Sequence, residues 1–156
     1  MPARGFTLIE LVITVAIVGL LATAAFPLAE MAARRSKEQE LRLALREIRR
    51  ALDAYKVAYD QGRIERTVGE TGYPPDLYAL VDGVEDASDP AGHLMYFLRR
   101  IPRDPFFPDG SAPAEETWGL RSYASPPDTP RPGDDVFDVY SLSPRIGLDG
   151  VPYRDW

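Results

Sequence analysis

The sequence predicts an α+β protein in which one long N-terminal helix, apolar in its first half and amphipathic in its second, packs on a small antiparallel β-sheet. Three observations carry this. From Phe6 to Phe26 the only ionisable side chain is Glu10. Leu41, Leu45, Ile48, Leu52, Tyr55 and Tyr59 recur at alternating steps of four and three, which makes one apolar stripe on a helix. Trp118–Tyr123 and Val136–Ser141 alternate at period two and read as strands.

The apolar run matches the roughly 20 residues that a helix needs to cross a bilayer. A charge near the centre of such a span costs about 2.5–3.5 kcal/mol on insertion scales, so an intramembrane carboxylate implies a partner. Glu10 has none in its own span, and a cation supplied by another copy of the chain would satisfy it. An ordinary secretory signal has a shorter apolar region followed by a small-residue cleavage site. The run here is longer, and Ala22-Thr23-Ala24 is its nearest approach to such a site. The other junction, Arg4-Gly5-Phe6, lies on the basic side, where cleavage would free the amine of Phe6 and leave the helix in the mature chain.

Gly5-Phe6-Thr7-Leu8-Ile9-Glu10 resembles the class III signal of type IV pilins and type II secretion pseudopilins. The resemblance implies a type IV pilin-like fold, cleavage by a prepilin peptidase between Gly5 and Phe6, N-methylation of Phe6, and a role for Glu10 in assembly. Pro27 falls where that family has a helix-kinking proline. The implied organisation is a leader over residues 1–5, a membrane-spanning segment over 6–27 and a periplasmic globular domain over 28–156. Charge alone does not orient the chain, because Arg4 precedes the span while Arg34, Arg35 and Lys37 follow it. The resemblance places the N-terminus in the cytoplasm and anchors the chain by a single pass in a bacterial inner membrane.

Past Pro27 no linker interrupts the pattern. Ser36-Lys-Glu-Gln-Glu has the look of a cap, but with no Gly or second Pro nearby one helix is expected from about Phe6 to Tyr59, closed by Gly62. The basic cluster over 42–50 reads as a solvated or subunit-facing surface. Asp76–Val81 has the spacing of a short helix with Leu77, Leu80 and Val81 inward, and 83–93 is turn-rich. Met95-Tyr96-Phe97-Leu98 and Ile101 supply core residues. Arg103-Asp-Pro-Phe-Phe-Pro108 is a rigid turn, 125–135 a polar loop, and the tail from Ile146 to Trp156 carries tight turns and a possible third strand.

The order of Tyr73-Pro74, Ile101-Pro-Arg-Asp-Pro105, Trp118-Gly119, Asp138-Val-Tyr-Ser141 and Trp156 is similar to the major pseudopilin of type II secretion, with Phe106–Thr117 as an insertion. Zero cysteines depart from the C-terminal disulfide loop of many type IV pilins. The resemblance also raises calcium, held in major pseudopilins by a C-terminal loop with an aspartate pair. Here the residues on offer are Ser141, Ser143, Asp149 and Asp155, the adjacent pair is missing, and no metal or other cofactor is expected.

Catalysis is not expected. One histidine, His93, and no cysteine leave no nucleophile–base arrangement, and no Gly-rich phosphate loop occurs. Glu115-Glu116 and Asp134-Asp135 read as solvated pairs. A net charge of −6 predicts no nucleic-acid partner. The expected function is that of a structural subunit of a type II secretion pseudopilus, homopolymerising through its N-terminal helices and working with other pseudopilins and an inner-membrane assembly platform. A type IV pilus subunit or minor pseudopilin is the nearest alternative. A membrane-anchored periplasmic binding or enzymatic domain is the alternative of a different class.

Overall fold

The computed structural model describes residues 5–156 and divides into two compact units, one ending at Lys37 and one spanning Glu38–Trp156. The leader expected over 1–5 therefore lies, except for Gly5, outside the described residues. Helix α1, Leu8–Asp60, contributes to both units and carries Pro27 in its interior. In the first unit its large apolar side chains, Leu11, Ile13, Ile17 and Leu21 among them, are all exposed. The span's hydroxyls are satisfied locally: Thr14 donates to the Leu11 carbonyl at 2.9 Å and Thr23 to that of Leu20 at 2.7 Å. Such local bonds let a hydroxyl sit in an apolar surrounding without water. The helix is long and apolar enough to cross a membrane.

The second unit folds around the stripe on α1. Leu41, Leu45, Ile48 and Leu52 are buried against Leu77 and Leu80, Trp118 and Val139, and Tyr153. The stripe wins over α1's intrinsic preferences because each buried aliphatic side chain contributes about 1.5–3 kcal/mol. The helix ends in a Schellman motif. Arg63 N–H donates to the Ala58 carbonyl at 3.0 Å and Gly62 N–H to that of Tyr59 at 2.9 Å, with Gly62 at φ 73°. Glycine is needed there because no other residue adopts that backbone cheaply.

The short helix expected over 76–81 starts three residues later and ends one later, as α2, Ala79–Asp82, with Leu77 and Leu80 fully buried and Val81 only partly so. Asp76 caps it, its carboxylate accepting from Ala79 N–H at 2.9 Å. The turn-rich stretch after it contains a hairpin not expected from sequence: β1, Val84–Glu85, pairs antiparallel with β2, Leu94–Met95. Tyr96, expected in the core, is exposed, because the extended chain alternates and turns Met95 and Phe97 inward instead.

The two expected longer strands are present. β3, Trp118–Arg121, pairs antiparallel with β4, Asp138–Ser141, in the register Trp118 to Ser141 and Arg121 to Asp138. The fold is thus α+β with small antiparallel sheets beside a long helix, consistent with the type IV pilin-like fold. The tail forms a single bridge, Ile146 to Pro152, and a 3₁₀ turn over Tyr153–Asp155 rather than a third strand. The inserted segment is structural: Phe106 stacks on Tyr153 with ring centroids 4.2 Å apart, and Thr117 is buried.

Candidate functional site

Two regions hold the residues singled out by sequence. The first is the start of α1. Thr7 Oγ1 accepts a hydrogen bond from the backbone N–H of Glu10 at 3.3 Å, and the Leu11 N–H reaches the Thr7 carbonyl at 3.2 Å. Thr7 is therefore the N-cap and Glu10 the third residue of the helix, the Thr-x-x-Glu spacing of a capping box. The assembly role expected for Glu10 leaves this local task out, although the Thr-x-x-Glu spacing is legible in the sequence. A carboxylate in the first turn also faces the positive end of the helix dipole. Phe6 and Glu10 are both exposed in the single chain, as are the apolar residues that follow. Phe6 sits just before the cap, so the N-terminus created by cutting after Gly5 would lie one residue from the helix.

The second region is the C-terminal tail against the part of α1 that follows Lys37. Arg42 and Arg49, expected in a solvated or subunit-facing cluster, instead hold this tail. Arg42 donates to Asp149 at 2.8 Å. Arg49 Nε donates to Asp138 at 2.8 Å, while its Nη2 reaches the backbone oxygens of Val139 at 3.2 Å and Trp156 at 2.7 Å. Buried Glu38 accepts from the Leu148 N–H and the Tyr153 hydroxyl, each at 2.8 Å. Glu38 was not singled out from sequence, although it stands three residues before Leu41 on the same stripe.

The calcium candidates are dispersed among these interactions. Ser141 donates its hydroxyl to buried Asp104, and Ser143 N–H donates to Ser141 Oγ at 3.2 Å. Asp149 is neutralised by Arg42, and Asp155 lies 3.8 Å from Arg154. No group of three or more His, Cys, Asp or Glu side chains is placed to hold a metal among the described residues. A cation that needs six to eight oxygens does not fit a carboxylate already held by a guanidinium.

Other polar groups singled out from the sequence make structural contacts. His93 Nδ1 pairs with Asp89 on the surface. Asp135, expected to be solvated, is buried and accepts from the Thr71 hydroxyl and the Tyr123 N–H. Glu115 is likewise half-sheltered, and burial pushes its carboxyl up. Asp104 is the most enclosed of the acids with a shifted pKa: desolvation raises it, opposed by hydrogen bonds from Ser141 and the Phe106 N–H.

Residues 1–26 match the family model for the prokaryotic N-terminal methylation motif. The match covers the basic leader, the Gly5–Phe6 junction and Glu10, and indicates a prepilin-processed, type IV pilin-like subunit. No curated protein and no solved structure gives a significant match to the chain.

Proposed function

We propose that the chain is a structural, non-enzymatic subunit of a type II secretion pseudopilus, cut between Gly5 and Phe6, methylated on Phe6 and polymerised through its N-terminal helix. The match of residues 1–26 to the methylation motif is the observation that carries this reading. The exposed apolar helix supports it, since such a surface needs either lipid or sibling helices around it. The order of motifs through the globular part favours the major pseudopilin over a pilus subunit, and contacts from Arg42 and Arg49 hold the tail to α1. In the filament, the carboxylate of Glu10 pairs with the free amine of a neighbour's Phe6. Pairing offsets a desolvation penalty that the lone helix must carry, and so couples membrane extraction to docking.

Intact mass of the membrane-extracted protein tests the processing step. The expected product lacks Met1–Gly5 and carries one added methyl group at Phe6. A mature N-terminus at Ala24 or Ala25 would show an ordinary signal peptide and overturn the reading. Deleting the gene should stop export of secreted proteins while surface pili persist; loss of pili with export intact would make the chain a pilus subunit.

A further inference from the structure

The surface of the second unit carries two features of complementary charge, formed by different segments of the chain. The first is a groove of about 630 Å³ between α1 and the segment after β2, walled by Leu43, Arg46, Arg50, Phe97 and Arg99, with Glu47 as its carboxylate. Leu43 is 60 % exposed although it lies on the core helix. Among the described residues, Arg46, Arg50 and Arg99 form no ion pair. A chain of net charge −6 thus gathers unpaired cations around an exposed leucine.

The second feature is the loop that follows α1. Glu70 N–H donates to the Thr67 carbonyl at 3.3 Å, closing a turn with Gly69 at φ 99° in its third position. Val68, in the second position, is fully exposed. Glu65 and Glu70 flank it, both exposed and both without an ion pair among the described residues. Of the two cations of this loop, Arg63 is held by Asp86 and Arg66 is turned back onto the Tyr59 and Asp60 carbonyls at the helix end. What the loop presents is an apolar tip between two carboxylates.

We infer that the Glu65–Glu70 turn of one copy docks in the Leu43–Arg46–Arg50–Arg99 groove of the next copy of this chain. Val68 covers Leu43 and Phe97, while Glu65 and Glu70 meet the guanidinium groups. The inference rests on the subunit reading above and adds the contact made by the globular domains. Charge complementarity selects a second copy as occupant, since the chain itself carries the matching acidic knob. The two surfaces differ, so the contact is heterologous, and repetition gives an open filament rather than a closed dimer.

The absence of native cysteine makes the contact directly testable in the full chain in its own membrane. A Leu43→Cys, Val68→Cys double variant should form a ladder of disulfide-linked multimers on mild oxidation, whereas either single variant should give dimers at most. Independently, R46E/R50E and E65R/E70R should each lower filament yield about tenfold, and the two sets combined in one chain should restore it. Filaments that form normally without a ladder, or a Leu43→Cys adduct with a different protein, overturn the contact and leave the subunit reading standing. A chain that is neither trimmed after Gly5 nor found in filaments overturns both.

Discussion

Arg42 lies over the indole of Trp156, its guanidinium carbon 4.0 Å from the ring centroid, while the same side chain holds Asp149. One residue thus closes the tail both by stacking and by charge. Arg49, two turns further along α1, closes it again through three oxygens. Because Arg42 and Asp149 are both largely exposed, Arg42→Ala should cost only about 0.5–1 kcal/mol. Arg49→Ala strands more acceptors and should cost about 1–2 kcal/mol. Arg42→Lys should not recover the loss, since an ammonium cannot lie flat on the ring while engaging the carboxylate. Thermal melts of residues 28–156 check the order, and the same melts should be unchanged by chelator or by excess calcium. A rise of several degrees with calcium would mean that Asp149 exchanges Arg42 for the metal.

Two carboxylates should give this domain opposite pH responses. Asp104 is buried, and its raised pKa means that the fold prefers its protonated form. Stability from this group is complete below the ordinary carboxylate range and is lost as pH rises through the folded value. Asp104→Asn, permanently neutral, should flatten the fall in melting temperature above pH 4. Asp86 is held down to about 2, chiefly by the Arg63 guanidinium and then by the Ser88 hydroxyl. Its contribution is present above the ordinary range and is lost as pH falls through about 2. Asp86→Asn should therefore lower the melting temperature at neutral pH and converge with the parent in strong acid. Parallel curves for either variant and the parent would show that the group's environment is not what the structure indicates.

Ile48 is fully buried at the centre of the α1 stripe. Ile48→Asp places an unpaired carboxylate among Leu77, Leu80 and Val139 and should cost about 3–5 kcal/mol. Ile48→Val should cost about 0.5–1.5 kcal/mol. A melting temperature for Ile48→Asp within a degree of the parent would mean that the stripe faces solvent or a neighbour.

What was legible in the sequence was what local periodicity encodes. The stripe from Leu41 to Tyr59 is buried as its spacing requires except at Tyr59, which is only partly covered at the helix end, and Gly62 ends α1 where a left-handed residue is needed. Trp118–Arg121 and Asp138–Ser141 are long enough to show period two. β1 and β2 are two residues each, too short to carry a period, so the hairpin was missed. The polar interior was missed for another reason. Glu38 and Asp104 are ordinary acidic residues locally, and only distant partners, Tyr153 and Leu148 for one and Ser141 for the other, make their burial possible. Arg42 and Arg49 were likewise read from their neighbours on the helix, whereas their partners come from the other end of the chain.

Glu10 has two candidate tasks, and one pair of substitutions separates them. As third residue after the Thr7 N-cap it can support the start of α1 locally, a task that glutamine performs as well as glutamate. As the partner of a neighbour's Phe6 amine it must carry charge, which glutamine does not. If the cap is what matters, Glu10→Gln should behave as the parent and Glu10→Ala should weaken the start of the helix. The proposed assembly role predicts otherwise: both variants reach the membrane at parental levels and are trimmed after Gly5, yet neither forms filaments or supports export. Sheared filaments, quantified against membrane-bound protein, provide the measurement. Normal filaments from Glu10→Gln at equal membrane abundance would assign Glu10 to the cap alone and leave docking to be organised elsewhere.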